Sequence, residues 1–133
     1  NNLMKINNSD IGTLASKIKN TLMFSNENVV KVITKEKLNN DNFPVAINFT
    51  RKDLSKNNKN IYHHIGIYAY NIKTLEKFIK LSQTKNEISN RLEQLRALDN
   101  NLKINVALAK SSRIGVDTEE DYLAIKNIME YKL

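Results

Sequence analysis

The segment 61–70 constrains the fold more than any other part of the chain, because its side chains alternate as a β-strand requires. One face of this strand would carry the apolar residues Ile65, Ile67 and Ala69. The opposite face would carry polar and aromatic positions, together with a glycine, at His64, Gly66, Tyr68 and Tyr70. We therefore predict that the first face packs against a core, whereas the second could face a ligand or be the surface of a half-exposed strand.

Three further segments have the composition of strands. Apolar and β-branched residues are frequent over 28–34, 45–50 and 103–109. The first two segments are separated by an Asn-rich turn at 39–42, and we expect them to pair as a hairpin. Because predicted strands alternate with helical patterns along the chain, the sequence indicates an α/β sheet with right-handed crossovers.

Two segments show the apolar spacing of amphipathic helices. In the segment 73–81, the residues expected to face inward are Leu75, Phe78 and Ile79. In the segment 87–98, an apolar stripe is formed by Ile88, Leu92, Leu95 and Leu98. A last helix is predicted to begin after Thr118, whose hydroxyl would cap it in a capping box with Asp121 in place of the usual glutamate.

The composition restricts the classes of protein to which the chain can belong. Its 133 residues are enough for one domain with a core. The formal net charge is +7, yet Lys and Arg are mixed with Asp and Glu rather than clustered, so no nucleic-acid partner is expected. The absence of Cys excludes disulfides and thiolate metal sites. No apolar run approaches the length of about 20 residues that a membrane span needs, and we predict a cytoplasmic protein.

Several polar residues could serve either a site or the fold alone. His64 and Tyr68 could exchange hydrogen bonds with hydroxyl groups, or pack in a half-exposed strand. Glu93 and Gln94 have the donors and acceptors that sugars require. The alternative is a surface pair in which Glu93 and Arg96 are linked at i,i+3. The residues alone leave these alternatives open.

Asp117 precedes the last predicted helix, at the type of strand-to-helix turn where α/β sheets collect ligand groups. A carboxylate there can hold magnesium, which prefers one or two carboxylates with waters and phosphates. A lone aspartate before a helix is more often a cap or a turn residue. Spacing alone does not decide between these functions.

Three runs occur in an order and at spacings that resemble one enzyme family. They read His-Ile-Gly-Ile-Tyr-Ala-Tyr at 64–70, Leu-Glu-Gln-Leu-Arg-Ala-Leu at 92–98 and Gly-Val-Asp-Thr-Glu-Glu-Asp at 115–121. Asn-Val-Val-Lys-Val-Ile at 28–33 and Phe-Thr-Arg at 49–51 extend the match. In these motifs the chain resembles the 3-deoxy-manno-octulosonate cytidylyltransferases, which activate the sugar acid Kdo as CMP-Kdo.

The resemblance implies the carboxy-terminal part of a Rossmann-like, nucleotide-diphospho-sugar-transferase-like sheet, with residues 1–133 forming the sugar-binding and dimerisation part. It favours a strand over 11–15, although Ile11, Leu14, Ile18 and Leu22 have helical spacing. The strands at 28–34 and 45–50 would be a small projecting β extension that makes a homodimer. The family's basic CTP-binding loop and Gln-Gly-Asp-Glu-Pro motif do not occur in the sequence, so these residues alone are expected to be inactive.

The resemblance also implies a reaction and its residues. The anomeric hydroxyl of Kdo would attack the α-phosphate of CTP, giving CMP-Kdo and pyrophosphate for lipopolysaccharide biosynthesis. The residues implied in binding the substrate are Arg51, His64, Tyr68, Glu93 and Gln94. Asp117 is implied as a ligand of Mg²⁺. The alternatives are a cytidylyltransferase for a sialic-type 2-keto sugar acid, and a non-catalytic fragment.

Overall fold

The computed structural model of the protein describes residues 9–56 and 59–109, together with Glu119, Leu123 and Lys126. Within these residues, five strands form one mixed sheet in the order β3-β2-β4-β1-β5. The strands are β1 (Ile11–Ser16), β2 (Lys31–Thr34), β3 (Ala46–Thr50), β4 (Ile61–Tyr70) and β5 (Ile104–Leu108). β1 and β5 are parallel, and the other neighbouring strands are antiparallel. The predicted α/β fold is confirmed, as is the strand over 11–15.

Three short helices lie between β4 and β5, after a 3₁₀ turn at Thr21–Phe24 earlier in the chain. They are α1 (Ile72–Phe78), α2 (Lys85–Asn90) and α3 (Gln94–Asp99). Among the residues that the structure describes, no helix is long and apolar enough to cross a membrane.

The inward face predicted for the first helix is partly wrong. Phe78 is buried as expected, but Leu75 is exposed and Ile79 is 69% exposed. The helix is short and meets the sheet near its C-terminal end, where the Phe78 ring lies 5.9 Å from the ring of Tyr70. Thr74 is the other buried residue of α1.

The single helix predicted over 87–98 is wrong, because the chain breaks it into α2 and α3 at Arg91. The backbone of Arg91 has φ 54° and ψ 45°, a left-handed conformation that ends a right-handed helix. α2 also begins earlier than predicted, since Thr84 and Glu87 form a capping box at its start. As a consequence Ile88 leaves the apolar stripe and is exposed.

Arg96 joins the two halves of the broken helix. Its Nε and Nη2 donate to the two carboxylate oxygens of Glu87 at 2.8 and 2.6 Å, and its guanidinium lies 5.0 Å from the centroid of the Phe78 ring. These hydrogen bonds hold the pKa of Glu87 below its ordinary value. The Glu93–Arg96 link considered from the sequence is therefore wrong, because the helix break gives Arg96 a bidentate partner in Glu87.

The core lies on the opposite face of β4 from the predicted one. Ile67 is 59% exposed, Ala69 is exposed and Ile65 is only half-buried. The other face forms an aromatic row with ring-centroid separations of 4.9, 5.5, 6.1 and 5.9 Å, running through Phe49, His64, Tyr68, Tyr70 and Phe78. The helical region decides which face of β4 is buried, because its buried leucines and Phe78 pack on the aromatic side.

β2 and β3 pair as the sequence predicts, with Val32 opposite Phe49. They do not project from the fold, because β2 also pairs with β4. Most residues of the two strands are buried within the described chain, whereas a projecting extension would leave its β-branched residues exposed without a second copy. The exposed residues of β3 are Asn48 and Ile47, which is 57% exposed where the β2–β3 register shifts.

Candidate functional site

The five residues predicted to bind the sugar line one cavity with a volume of about 520 Å³. Arg51 follows β3, His64 and Tyr68 come from β4, and Glu93 and Gln94 come from the turn that leads into α3. The cavity therefore collects side chains from three separate parts of the chain. Gly66 contributes open space, since a Cβ placed there would meet no heavy atom within 4 Å among the described residues.

The helix break at Arg91 sets the positions of the Glu93 carboxylate and the Gln94 amide in the site. Glu93 lies at the N-terminal end of α3, instead of on the side of a continuous helix. The buried side chains of Leu92 and Leu95 anchor this turn in the core. Glu93 is exposed, Gln94 is half-buried, and neither side chain is occupied by a hydrogen bond to another residue that the structure describes. Both are available to a ligand.

A bulge in β4 shapes the wall of the cavity between His64 and Tyr68. The β1–β4 register passes from Thr13–Tyr68 to Leu14–Ile65, so Gly66 and Ile67 have no partner in β1. Thr13 stabilises the bulge, because its hydroxyl lies 2.9 Å from the carbonyl oxygen of Ile67. The same Oγ1 lies 2.9 Å from His64 Nε2.

The aromatic and imidazole groups of the site are uncharged at neutral pH. Burial lowers the pKa of His64 to about 4, and the charge of His63 acts in the same direction. Burial also raises the pKa of Tyr68 well above its ordinary value, with smaller contributions from Tyr70 and Glu93. His64 and Tyr68 can therefore exchange hydrogen bonds with hydroxyl groups, but they cannot neutralise a carboxylate.

Two arginines line the cavity where it adjoins a second cavity. They are Arg51 and Arg91, and the second cavity has a volume of about 440 Å³. The fully buried Lys31 fixes this region, since its Nζ donates to the carbonyl oxygens of Asn26 and Arg51, each at 2.9 Å. Burial lowers the pKa of Lys31. An anionic group entering here would meet two guanidinium groups.

Sequence reasoning missed Thr13, Lys31 and Arg91. Thr13 and Lys31 are polar residues within apolar strands, which is a usable signal that they face a buried partner. Arg91 had no such signal, because nothing in its side chain favours a left-handed backbone. The metal ligand predicted at Asp117 and the capping box of Thr118 with Asp121 lie outside the described residues. Across the described ranges, no group of three or more His, Cys, Asp or Glu side chains is placed to hold a metal ion.

Known proteins similar to this chain agree with the motifs. A 3-deoxy-manno-octulosonate cytidylyltransferase of Bartonella bacilliformis is 40% identical over an alignment covering 96% of this chain and 51% of the relative. One from Thermodesulfovibrio yellowstonii is 42% identical, covering 90% of this chain and 48% of the relative. The predicted resemblance to this family is confirmed. The chain spans about half the length of the curated cytidylyltransferases that it matches.

A solved structure supports the fold. It is a CMP:2-keto-3-deoxy-manno-octonic acid synthetase complexed with CTP, with a TM-score of 0.79 over 98% of this chain and 53% of the other. The sequence identity is 23%, so this likeness shows a shared fold over about half of the synthetase and no more. No protein-family model matches the chain.

Proposed function

We propose that the chain is the carboxy-terminal, sugar-binding part of an enzyme that joins Kdo to the CMP group of CTP and releases pyrophosphate. The observation that carries this proposal is the cavity that contains Arg51, His64, Tyr68, Glu93 and Gln94. The names of the similar proteins support the same substrates. The product would serve lipopolysaccharide biosynthesis in the cytoplasm.

The charges of the site suit a polyhydroxylated acid. The neutral side chains of His64, Tyr68 and Gln94 supply hydrogen bonds for sugar hydroxyls, and the carboxylate of Glu93 can accept from two of them. Arg51 supplies a planar guanidinium that can bind the carboxylate of the sugar acid through two parallel hydrogen bonds. The division between neutral and cationic groups would orient the sugar in the cavity.

The proposed enzyme works by positioning rather than by covalent catalysis. The cavity would hold the sugar so that its anomeric hydroxyl attacks the α-phosphate of CTP, which a separate part of the enzyme would bind. Asp117 is proposed to contribute to a magnesium site, where the metal ion would neutralise phosphate charge.

A sialic-type sugar acid is the second candidate substrate, and one observation favours keeping it. The cavity is lined by apolar side chains as well as polar ones, namely Val30, Ile65, Ile67 and Leu92. Such a wall can accept the methyl of an acetamido group. Calorimetric titration of the chain with Kdo and with N-acetylneuraminate distinguishes the two substrates, and we expect tighter binding of Kdo. Binding of neither sugar would leave the non-catalytic fragment as the remaining alternative.

In the complete enzyme, we expect Gln94→Ala to raise the KM for Kdo by about two- to tenfold while leaving the KM for CTP nearly unchanged. The reason is that a lost hydrogen bond to a neutral hydroxyl costs about 0.5–1.5 kcal/mol. Steady-state kinetics with each substrate varied in turn measure both constants. Asn40→Ala is the control, because Asn40 is an exposed amide in a turn that does not line the cavity. Equal changes in both KM values would contradict a role in sugar binding.

We also propose that the protein forms a twofold homodimer. β3 is the last strand in the order of the described sheet, and apart from a bridge between Val45, which precedes it, and Asn105 of β5, its outer edge has no strand partner there. The exposed Ile47 lies on this strand. Pairing with a second copy would cover both features. We expect sedimentation velocity at micromolar concentration to give the mass of a dimer, and a monomer would count against the proposal.

A further inference from the structure

The contacts of Thr13 favour one position for the proton on the His64 ring. Thr13 is 2% exposed, and its Oγ1 lies 2.9 Å from His64 Nε2 and 2.9 Å from the carbonyl oxygen of Ile67, with the carbonyl oxygen of Ile65 farther away at 3.4 Å. A hydroxyl has one proton to donate, and a carbonyl oxygen can only accept. If the hydroxyl donates to Ile67, the proton in the contact with His64 must come from Nε2.

Counting hydrogen bonds distinguishes the two neutral tautomers of His64. With the proton on Nε2, both 2.9 Å contacts of Thr13 are hydrogen bonds. With the proton on Nδ1, the hydroxyl can donate either to Nε2 or to the carbonyl of Ile67, and one contact is lost. Because polar groups buried without partners are costly, the contacts favour the tautomer protonated at Nε2.

The same arrangement leaves Nδ1 of His64 as an acceptor that a ligand can reach. No hydrogen bond to another described residue occupies this atom. It is not among the buried side-chain atoms without a partner, which in the described residues are Ser16 Oγ and His63 Nδ1. His64 lines the 520 Å³ cavity, and its ring is held between Phe49 and Tyr68.

We propose that Thr13 is a positioning residue that holds His64 in the Nε2–H tautomer, so that Nδ1 accepts a hydrogen bond from a hydroxyl of the bound sugar acid. The role of Nδ1 toward the sugar rests on the proposed function, whereas the effect of Thr13 on the tautomer does not. Thr13 acts through His64 and does not touch the sugar. It thereby fixes whether the imidazole offers the cavity a donor or an acceptor.

The test is ¹⁵N NMR of the chain labelled with [¹⁵N]histidine, which contains two histidines, His63 and His64. His64→Gln assigns the signals by removing one set. We expect the unmutated chain to show His64 protonated at Nε2. Thr13→Val removes the hydroxyl at nearly constant volume, and we expect a mixture of tautomers and about three- to tenfold weaker binding of Kdo. Thr13→Ser, which keeps the hydroxyl, is expected to retain the tautomer and the affinity.

The matched control is Thr34→Val. Thr34 is also buried in a strand, and its hydroxyl donates to the carbonyl oxygen of Glu36 at 2.6 Å, remote from the contacts of His64. This variant should leave the tautomer unchanged, which separates loss of the Thr13 hydroxyl from general loosening of the sheet.

Two results would overturn the proposal. One is an Nδ1–H tautomer in the unmutated chain, a result that does not require any variant to fold. The other is an unchanged His64 spectrum in a Thr13→Val chain whose circular dichroism shows that it is folded. If the tautomer responds as expected but Kdo does not bind the unmutated chain, the proposed function fails, while the control of His64 by Thr13 stands.

Discussion

Replacing Phe49 with alanine is expected to lower the free energy of unfolding by about 3–5 kcal/mol, as is typical of a buried aromatic residue. Phe49 is 1% exposed, and its ring forms a T-shaped pair with the His64 ring at 4.9 Å between centroids. The substitution would remove one end of the aromatic row and leave a cavity behind His64. We therefore expect weaker binding of Kdo together with the loss of stability. Urea unfolding followed by circular dichroism measures the loss of stability, and calorimetric titration measures the weaker binding of Kdo.

Ile72→Ala is the control for Phe49→Ala. It also removes a large apolar side chain, but Ile72 is 77% exposed at the start of α1 and is not on β3, the strand through which the dimer is proposed. Its effect on the free energy of unfolding should stay within about 0.5 kcal/mol. Equal losses in the two variants would mean that Phe49 is not packed in the core as the structure has it.

Asp117→Asn is expected to reduce turnover by the complete enzyme by about a hundredfold or more, with the fold unchanged. The change removes a negative charge from the proposed magnesium site and keeps the size of the side chain. Lewis-acid stabilisation by a metal ion contributes several kcal/mol, and each 1.36 kcal/mol corresponds to about a tenfold change in rate. Release of pyrophosphate, followed over a range of magnesium concentrations, gives both the rate and the dependence on the metal ion.

The control for Asp117→Asn is Asp41→Asn, which makes the same change in an exposed turn. It should leave turnover unaffected. If the Asp117→Asn enzyme turns over at the normal rate in saturating magnesium, Asp117 does not belong to the metal site. Thermal unfolding of both variants would show whether any loss of activity arises from the fold instead.

The strands were predictable because each is indicated by the β-branched and apolar residues of its own short segment. β3 and β5 lie within the segments chosen for their β-branched and apolar residues, and β4 matches the segment 61–70. The orientation of β4 was not predictable from its own residues, since a face becomes buried only when something packs on it. Here Phe78 and the leucines around α3 cover the face that carries Tyr68 and Tyr70.

The helix break was hidden by the pattern that predicted the helix. Leu92 and Leu95 are buried as the apolar stripe requires, so the spacing continues through a point where the backbone turns at Arg91. The capping box of Thr84 and Glu87 could have been recognised in the sequence, and it would have placed the start of α2 where the structure has it. The motifs, by contrast, pointed to Glu93 and Gln94 as candidate sugar-binding residues without any knowledge of that break, because a resemblance carries residue identities independently of local geometry.

The position of β1 has a consequence for the nascent chain. Ile11 pairs with Tyr70 in β4 and with Ile104 in β5, so the first of the described strands to be synthesised is the one among them that waits longest for its neighbours. At about 5–20 residues per second, roughly 5–20 seconds separate the synthesis of Ile11 from that of Ile104. β2, β3 and β4 can associate earlier, because they are closer in sequence. Until β5 emerges from the ribosome, the edge of β1 that pairs with β5 lacks that partner, and such an open strand edge is the kind of surface that holding chaperones protect.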